Sequence, residues 1–204
     1  MPLPVWAADP YSLLITEEQY EALPEEVCKT IEVVDGSVVF CGSPGHEHQI
    51  VSHNLTNALR DARPPSPCIS VVQDLDMRYR CSNPQAKEKG RYFTVRRPDV
   101  SVLHCVERGS KVTSADVFTT VEIAGADSKQ RDFQDKKAEY AAQRIPMYLI
   151  IVLDADDAIH SVEEYRLDWS GRNYQLAFVH RDVLDTELPE GMKINVTFSD
   201  LESV

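Results

Sequence analysis

The stretch TTVEIAGADSKQRDFQDKKAEYAAQRIPMYLIIVLD, residues 119–154, decides the architecture. TTVEIA (119–124) is short and rich in β-branched residues, and reads as a strand. Residues 129–144 place Phe133, Lys137, Tyr140 and Ala141 at helical spacing and predict a helix. MYLIIVL (147–153) is a continuous apolar run, the pattern of a central strand covered on both faces. DADD (154–157) then turns the chain.

Working outward, Thr16-Glu-Glu-Gln19 is a capping box and predicts a short helix that stops near Pro24. TIEVVDGSVVFC (30–41) holds two β-rich runs around Asp35-Gly36, a hairpin signal. Ile50, Val51, Leu55, Ala58, Leu59 and Ala62 form an apolar stripe that predicts a helix over 46–62, ended by PPSP (64–67). CISVVQ, DLDMRYR and VSVLH (100–104) read as strands, with a polar loop over 81–91. IHSVEEYRL and NYQLAFVHR form a second hairpin, and KINVTF closes with a strand. The expectation is one α/β domain over 1–204, a mixed sheet with a long helix on each side.

Composition narrows the function classes. The 204 residues are 43% hydrophobic and 26% charged, ordinary for a soluble globular protein. The longest apolar run, Ile145–Leu153, is interrupted by Pro146 and is far short of the roughly 20 residues that span a bilayer. MPLPVWAADPYSLL lacks the basic start and apolar core of a secretory signal. The expected compartment is the cytoplasm, with no membrane partner. The five cysteines are odd in number and widely spaced, and none lies in a C-x-x-C. They read as reduced thiols, with no disulfide framework. His46, His48 and His53 do not make the H-E-x-x-H zinc pattern.

Net charge is −12, which opposes a protein that simply coats nucleic acid. Yet Arg78–Arg97 holds seven basic residues and one acidic residue. This segment reads either as a solvated hairpin or as a guide for a polyanion. Arg78, Arg80, Arg91 and Arg97 are its candidate nucleic-acid contacts.

RRPDVSVLH (96–104) puts Asp99 at the mouth of a strand, and Glu122 sits between Val121 and Ile123. A carboxylate inside an apolar strand is costly unless it is paired, protonated or bound to a cation. Two on neighbouring strands suit magnesium, which prefers oxygen ligands and keeps several waters. Asp99, Glu122 and the Ile123 carbonyl are the candidate ligands. Asp132, Lys136 and Tyr140 recur at four-residue spacing on one helix face, so Lys136 can point at that site. Taken singly, Asp99 also fits a turn cap, Glu122 an arginine partner, and Asp132 with Lys136 a surface ion pair.

In this order, Pro98-Asp99, Glu122-Ile123 and the lysine resemble the signature of the PD-(D/E)XK nuclease superfamily. More closely, the chain resembles the bacterial Uma-type family of restriction-endonuclease-like proteins, from about Thr16 to Leu201. Matching residues include Glu32-Val-Val-Asp35-Gly36, Pro44 with His48-Gln49, and Asp132, Lys136 and Tyr140. The wider superfamily carries its lysine two residues after the acidic one, where this chain has Ala124. The resemblance transfers that role to Lys136, with Lys137 its open neighbour.

The resemblance implies a restriction-endonuclease-like core with N- and C-terminal β-hairpins. It also implies a Mg2+- or Mn2+-dependent endonuclease acting on DNA. Asp99 and Glu122 would be its metal ligands, Lys136 its base or water-orienting group, and Glu32 and His48 ancillary residues. Cleavage of both strands would suit a homodimer. The alternatives are a catalytically inactive nuclease-fold module that binds nucleic acid or protein, and a hydrolase of small phosphoesters.

Overall fold

The computed structural model describes residues 13–80, 93–125 and 130–204, with the side chains of 130–133 excepted. Cys81, Lys87, Lys89, Arg91 and the side chains of Asp132 and Phe133 lie outside the described residues. Two compact units are present. One comprises the described residues up to Ser43 together with Asp76–Arg97, the other Pro44–Leu75 with Pro98–Val204.

The first unit opens with helix α1 (Glu17–Glu21). The Thr16 hydroxyl accepts from the Gln19 N–H, and the Gln19 side chain accepts from the Thr16 N–H, completing the capping box. A short helix α2 (Glu25–Cys28) begins after Pro24. Strands β1 (Ile31–Val34) and β2 (Ser37–Phe40) pair antiparallel. Asp35 and Gly36, at φ 51° and 76°, supply the two left-handed residues a tight hairpin turn of this hand needs. Strands β4 (Met77–Arg80) and β5 (Phe93–Arg96) complete a four-stranded sheet of order β2-β1-β5-β4. Tyr20, Ile31, Val33, Phe93 and Val95 form its core. Strand β5 is unforeseen, because FTVR is short and runs straight into a charged stretch.

In the second unit, helix α3 (His46–Asp61) precedes β3 (Ile69–Gln73). Then come β6 (Val100–His104), β7 (Val117–Ala124), helix α4 (Gln130–Ala142), β8 (Met147–Leu153), β9 (Ile159–Leu167) and β10 (Tyr174–His180). The six strands form one sheet of order β10-β9-β8-β7-β6-β3. Only β7 and β8 run parallel within it, and they are the pair joined through α4. A parallel pair needs such a crossover, so the opening stretch does fix the architecture. The result is an α/β fold, a mixed central sheet flanked by helices and accompanied by hairpin-like terminal sheets.

A final hairpin joins β11 (Val183–Leu188) to β12 (Met192–Thr197), and helix α5 (Phe198–Glu202) ends the chain, capped by Thr197. β11 is a strand the sequence pattern hides, because Asp185, Thr186 and Glu187 dilute its apolar alternation. Only Leu184 and Leu188 are buried in it.

The pleat divides the large sheet into two faces. Val100, Val102, Val121, Ile123, Leu149 and Ile151 join Val51, Leu55 and Leu59 of α3 in one core. Ser101, Thr120, Glu122 and Tyr148 alternate with them and face α4.

The cysteine expectation is corrected. Cys68 and Cys105 form a disulfide, with Cα atoms 5.5 Å apart. Ile69 and His104 are register partners at the end of the β3–β6 ladder, and the cysteines stand one step beyond them. Spacing along the chain says nothing about this, since antiparallel pairing brings distant residues opposite one another. The Cys28 thiol, half-buried, is directed at the Tyr20 and Leu23 carbonyls.

Candidate active site

Glu122 sits in the middle of a strand whose eight residues are all buried. Its carboxylate is compensated from helix α4. Oε2 meets the Lys136 ammonium at 2.7 Å, and Oε1 accepts from the Tyr140 hydroxyl at 2.8 Å. Four-residue spacing stacks Lys136 and Tyr140 on one face of α4, so both reach the same carboxylate. The adjacent Lys137 points elsewhere, its ammonium 4.3 Å from the centroid of the Tyr165 ring.

Asp99 precedes β6, in line with Glu122 on β7, since Val100 and Val121 are register partners. Its Oδ2 accepts from the Ile123 backbone N–H at 2.6 Å and lies 3.3 Å from His48 Nε2. Asp99 ties the mouth of β6 to β7 and to the first turn of α3. Burial pulls the His48 pKa down, but the hydrogen bond and charge of Asp99, with Asp74 and Glu122 behind it, outweigh burial and leave it raised. His48 Nδ1 is buried and has no hydrogen-bond partner among the described residues.

The structure thus brings together Asp99, Glu122, Lys136 and His48. Ile123 takes part through its N–H, and it stands in register with Ile151 of β8. Glu32 belongs to the other unit. There its Oε2 pairs with Arg96 at 2.8 Å and its Oε1 accepts from the Arg97 N–H at 2.8 Å. Arg97 also holds Asp76 Oδ1 at 2.6 Å and donates to the Lys29 and Cys28 carbonyls. Arg78 pairs with Glu21. Arg80 is exposed at the end of β4.

Sequence reasoning did not assign Tyr140 its place on Glu122, and it passed over Ser101, Thr120 and Tyr148. The signal was present as single polar residues set into otherwise apolar runs, Ser101 in VSVLH and Tyr148 in MYLIIVL, and as Thr120 two residues before Glu122 in VFTTVEIA.

The Uma2 family, described as "Putative restriction endonuclease", matches residues 17–199. The chain belongs to this family. The match spans both units of the Uma2 chain and places it in the PD-(D/E)XK-like restriction-endonuclease superfamily. Among solved structures, a putative nuclease of the DUF820 group from Anabaena variabilis ATCC 29413 has the same fold. Its TM-score is 0.64 at 17% identity, covering 92% of this chain and 97% of that one. No curated protein matches.

The family implies a divalent metal. Among the described residues, no three His, Cys, Asp or Glu side chains converge on one point. Two carboxylates on adjacent strands are nevertheless a donor set that magnesium uses, because it is commonly held by one or two carboxylates together with substrate phosphate. The residues fit a cation completed by substrate better than an all-protein cage.

Proposed function

We propose that this Uma2-family chain is a nuclease-fold module that binds nucleic acid, with its carboxylates held in a closed, charge-compensated network. One observation carries the reading: each oxygen of Glu122 is taken by a donor from α4, Lys136 on one and Tyr140 on the other. A buried ion pair with its remaining lone pairs satisfied is stable as it stands and does not need a metal to exist. DNA is the proposed nucleic acid, the cytoplasm the proposed compartment, and residues 1–204 the proposed single domain. Among the described residues no helix is long and apolar enough to cross a membrane. Arg78, Arg80, Arg91 and Arg97 are the proposed contacts. Arg78 and Arg97 would exchange Glu21 and Asp76 for phosphate oxygens.

A second reading, a metal-dependent endonuclease, is favoured by Asp99 and Glu122 standing in line on adjacent strands, with Lys136 of α4 on Glu122. Mg2+ or Mn2+ would be held by Asp99, Glu122 and the Ile123 carbonyl, and would polarise the phosphoryl oxygen and acidify a water. Lys136 would leave Glu122 and hold or deprotonate the attacking water. His48 would keep Asp99 oriented, and Glu32 is a further candidate from the family pattern. Cleavage of both strands would bring two copies together about a twofold axis.

Manganese titrated calorimetrically into the wild type, Asp99→Ala and Glu122→Ala, with and without duplex DNA, separates the two. The module reading expects DNA binding whose logarithm falls with log salt by about 0.9 per phosphate contacted, and no cleavage. Manganese-dependent cleavage lost in both variants would replace it with the endonuclease.

A further inference from the structure

The face of the sheet beneath α4 carries a polar feature that neither reading uses. Ser101 of β6, Thr120 of β7, Tyr148 of β8 and Tyr165 of β9 are successive register partners and form one row across four strands. Ser101, Thr120 and Tyr148 are each 0% exposed. Their three hydroxyls are buried and have no hydrogen-bond partner among the described residues.

Tyr148 is the exception in a cluster of tyrosines. Its ring packs edge-on to Tyr140 at 5.4 Å and lies 6.2 Å and 5.8 Å from Tyr165 and Tyr174. Each of those neighbours has a partner for its hydroxyl: Glu122 for Tyr140, Glu163 for Tyr165 and the Ile145 carbonyl for Tyr174. Burial pushes the Tyr148 phenol well above its ordinary pKa, and Glu122 is the charge that adds most to the shift. It therefore stays protonated and has a proton to donate.

Buried hydroxyls without partners are rare because the desolvation penalty is large, and those that lack a protein partner are commonly satisfied by ordered water. One buried water makes about three hydrogen bonds, the number of hydroxyls in the row that lack a partner among the described residues. We infer that the Ser101–Thr120–Tyr148 row is a binding site for ordered water, continuous with the Glu122–Lys136–Tyr140 cluster two residues further along β7. Tyr148 is then a positioning residue, acting on Glu122 through that water. The inference is independent of whether the chain cleaves nucleic acid.

The sign of a stability change tests it. With water in the row, Tyr148→Phe and Thr120→Val each raise the unfolding equilibrium constant by about five-fold, the loss of one ordinary hydrogen bond. Thr119 Oγ1, also buried and without a partner among the described residues, lies on the apolar face and serves as control. Thr119→Val leaves the constant unchanged or lowers it. Equal or greater stability for Tyr148→Phe overturns the proposal. Continuity is read from Tyr148→Phe combined with Glu122→Gln. Water shared with Glu122 makes the two effects non-additive, and strict additivity overturns the link. A high-resolution crystal structure is expected to show solvent within hydrogen-bond distance of at least two of the three hydroxyls, and a dry row refutes the site.

Discussion

The two faces of the six-stranded sheet are built from the same strands and have opposite characters. Toward α3 the residues are Val100, Val102, Val121, Ile123, Leu149 and Ile151, packed with Val51, Leu55 and Leu59. Toward α4 they include Ser101, Thr120, Glu122 and Tyr148, all buried as well. Burial therefore does not distinguish the faces; chemistry does. One face contributes stability by removing apolar surface from water. The other holds charges and hydroxyls that are tolerable only when paired. A strand can serve both because its side chains alternate, so β7 carries core and site at once.

This contrast can be broken in graded ways. The largest effect is expected on the polar face. Lys136→Met leaves Glu122 buried without its cation and should lower stability by about 4 kcal/mol in denaturant titration. The double variant Lys136→Met/Glu122→Leu should recover much of that loss, because the carboxylate left without its cation is removed as well. Next, Leu149→Ala on the apolar face should cost about 3 kcal/mol, and nucleic-acid affinity per folded molecule should not change. A smaller loss, about 1 kcal/mol, is expected for Ile123→Val. Its backbone N–H still reaches Asp99, so any change in the site beyond that loss would show the faces to be coupled.

The smallest effect is a pH dependence at His48. Its pKa is raised above 6.5 in the folded chain, so its contribution is fully present below that value and fades as pH rises through the higher folded one. Wild type should therefore exceed His48→Gln most in acid, and the gap should close toward alkaline pH.

The legibility of each face in the sequence follows from the same contrast. The apolar stripe of α3 and the run MYLIIVL announced the core, because periodicity reports burial directly. Pro98-Asp99, Glu122 and Lys136 were legible as a set because a charge inside an apolar strand stands out. Three things were not. FTVR and VLDTEL are strands by virtue of their partners, β4 with β1 and β12, and carry little alternation of their own. The row Ser101–Thr120–Tyr148 depends on register, which no single strand encodes. The disulfide depends on register too, since Cys68 and Cys105 meet only when β3 pairs with β6.

That disulfide has a topological consequence. Between its cysteines, separated by 37 positions, runs the segment Asp76–Arg97 that the chain lends to the other unit. The bond converts this excursion into a covalent ring whose exit and return are neighbours even in the denatured ensemble. By loop-closure entropy such a ring restricts the unfolded chain by about 4 kcal/mol. The insertion therefore does not have to find its way back: β3 and β6 remain tethered, and the mouth of β6, where Asp99 sits, starts every refolding already near its partner strand.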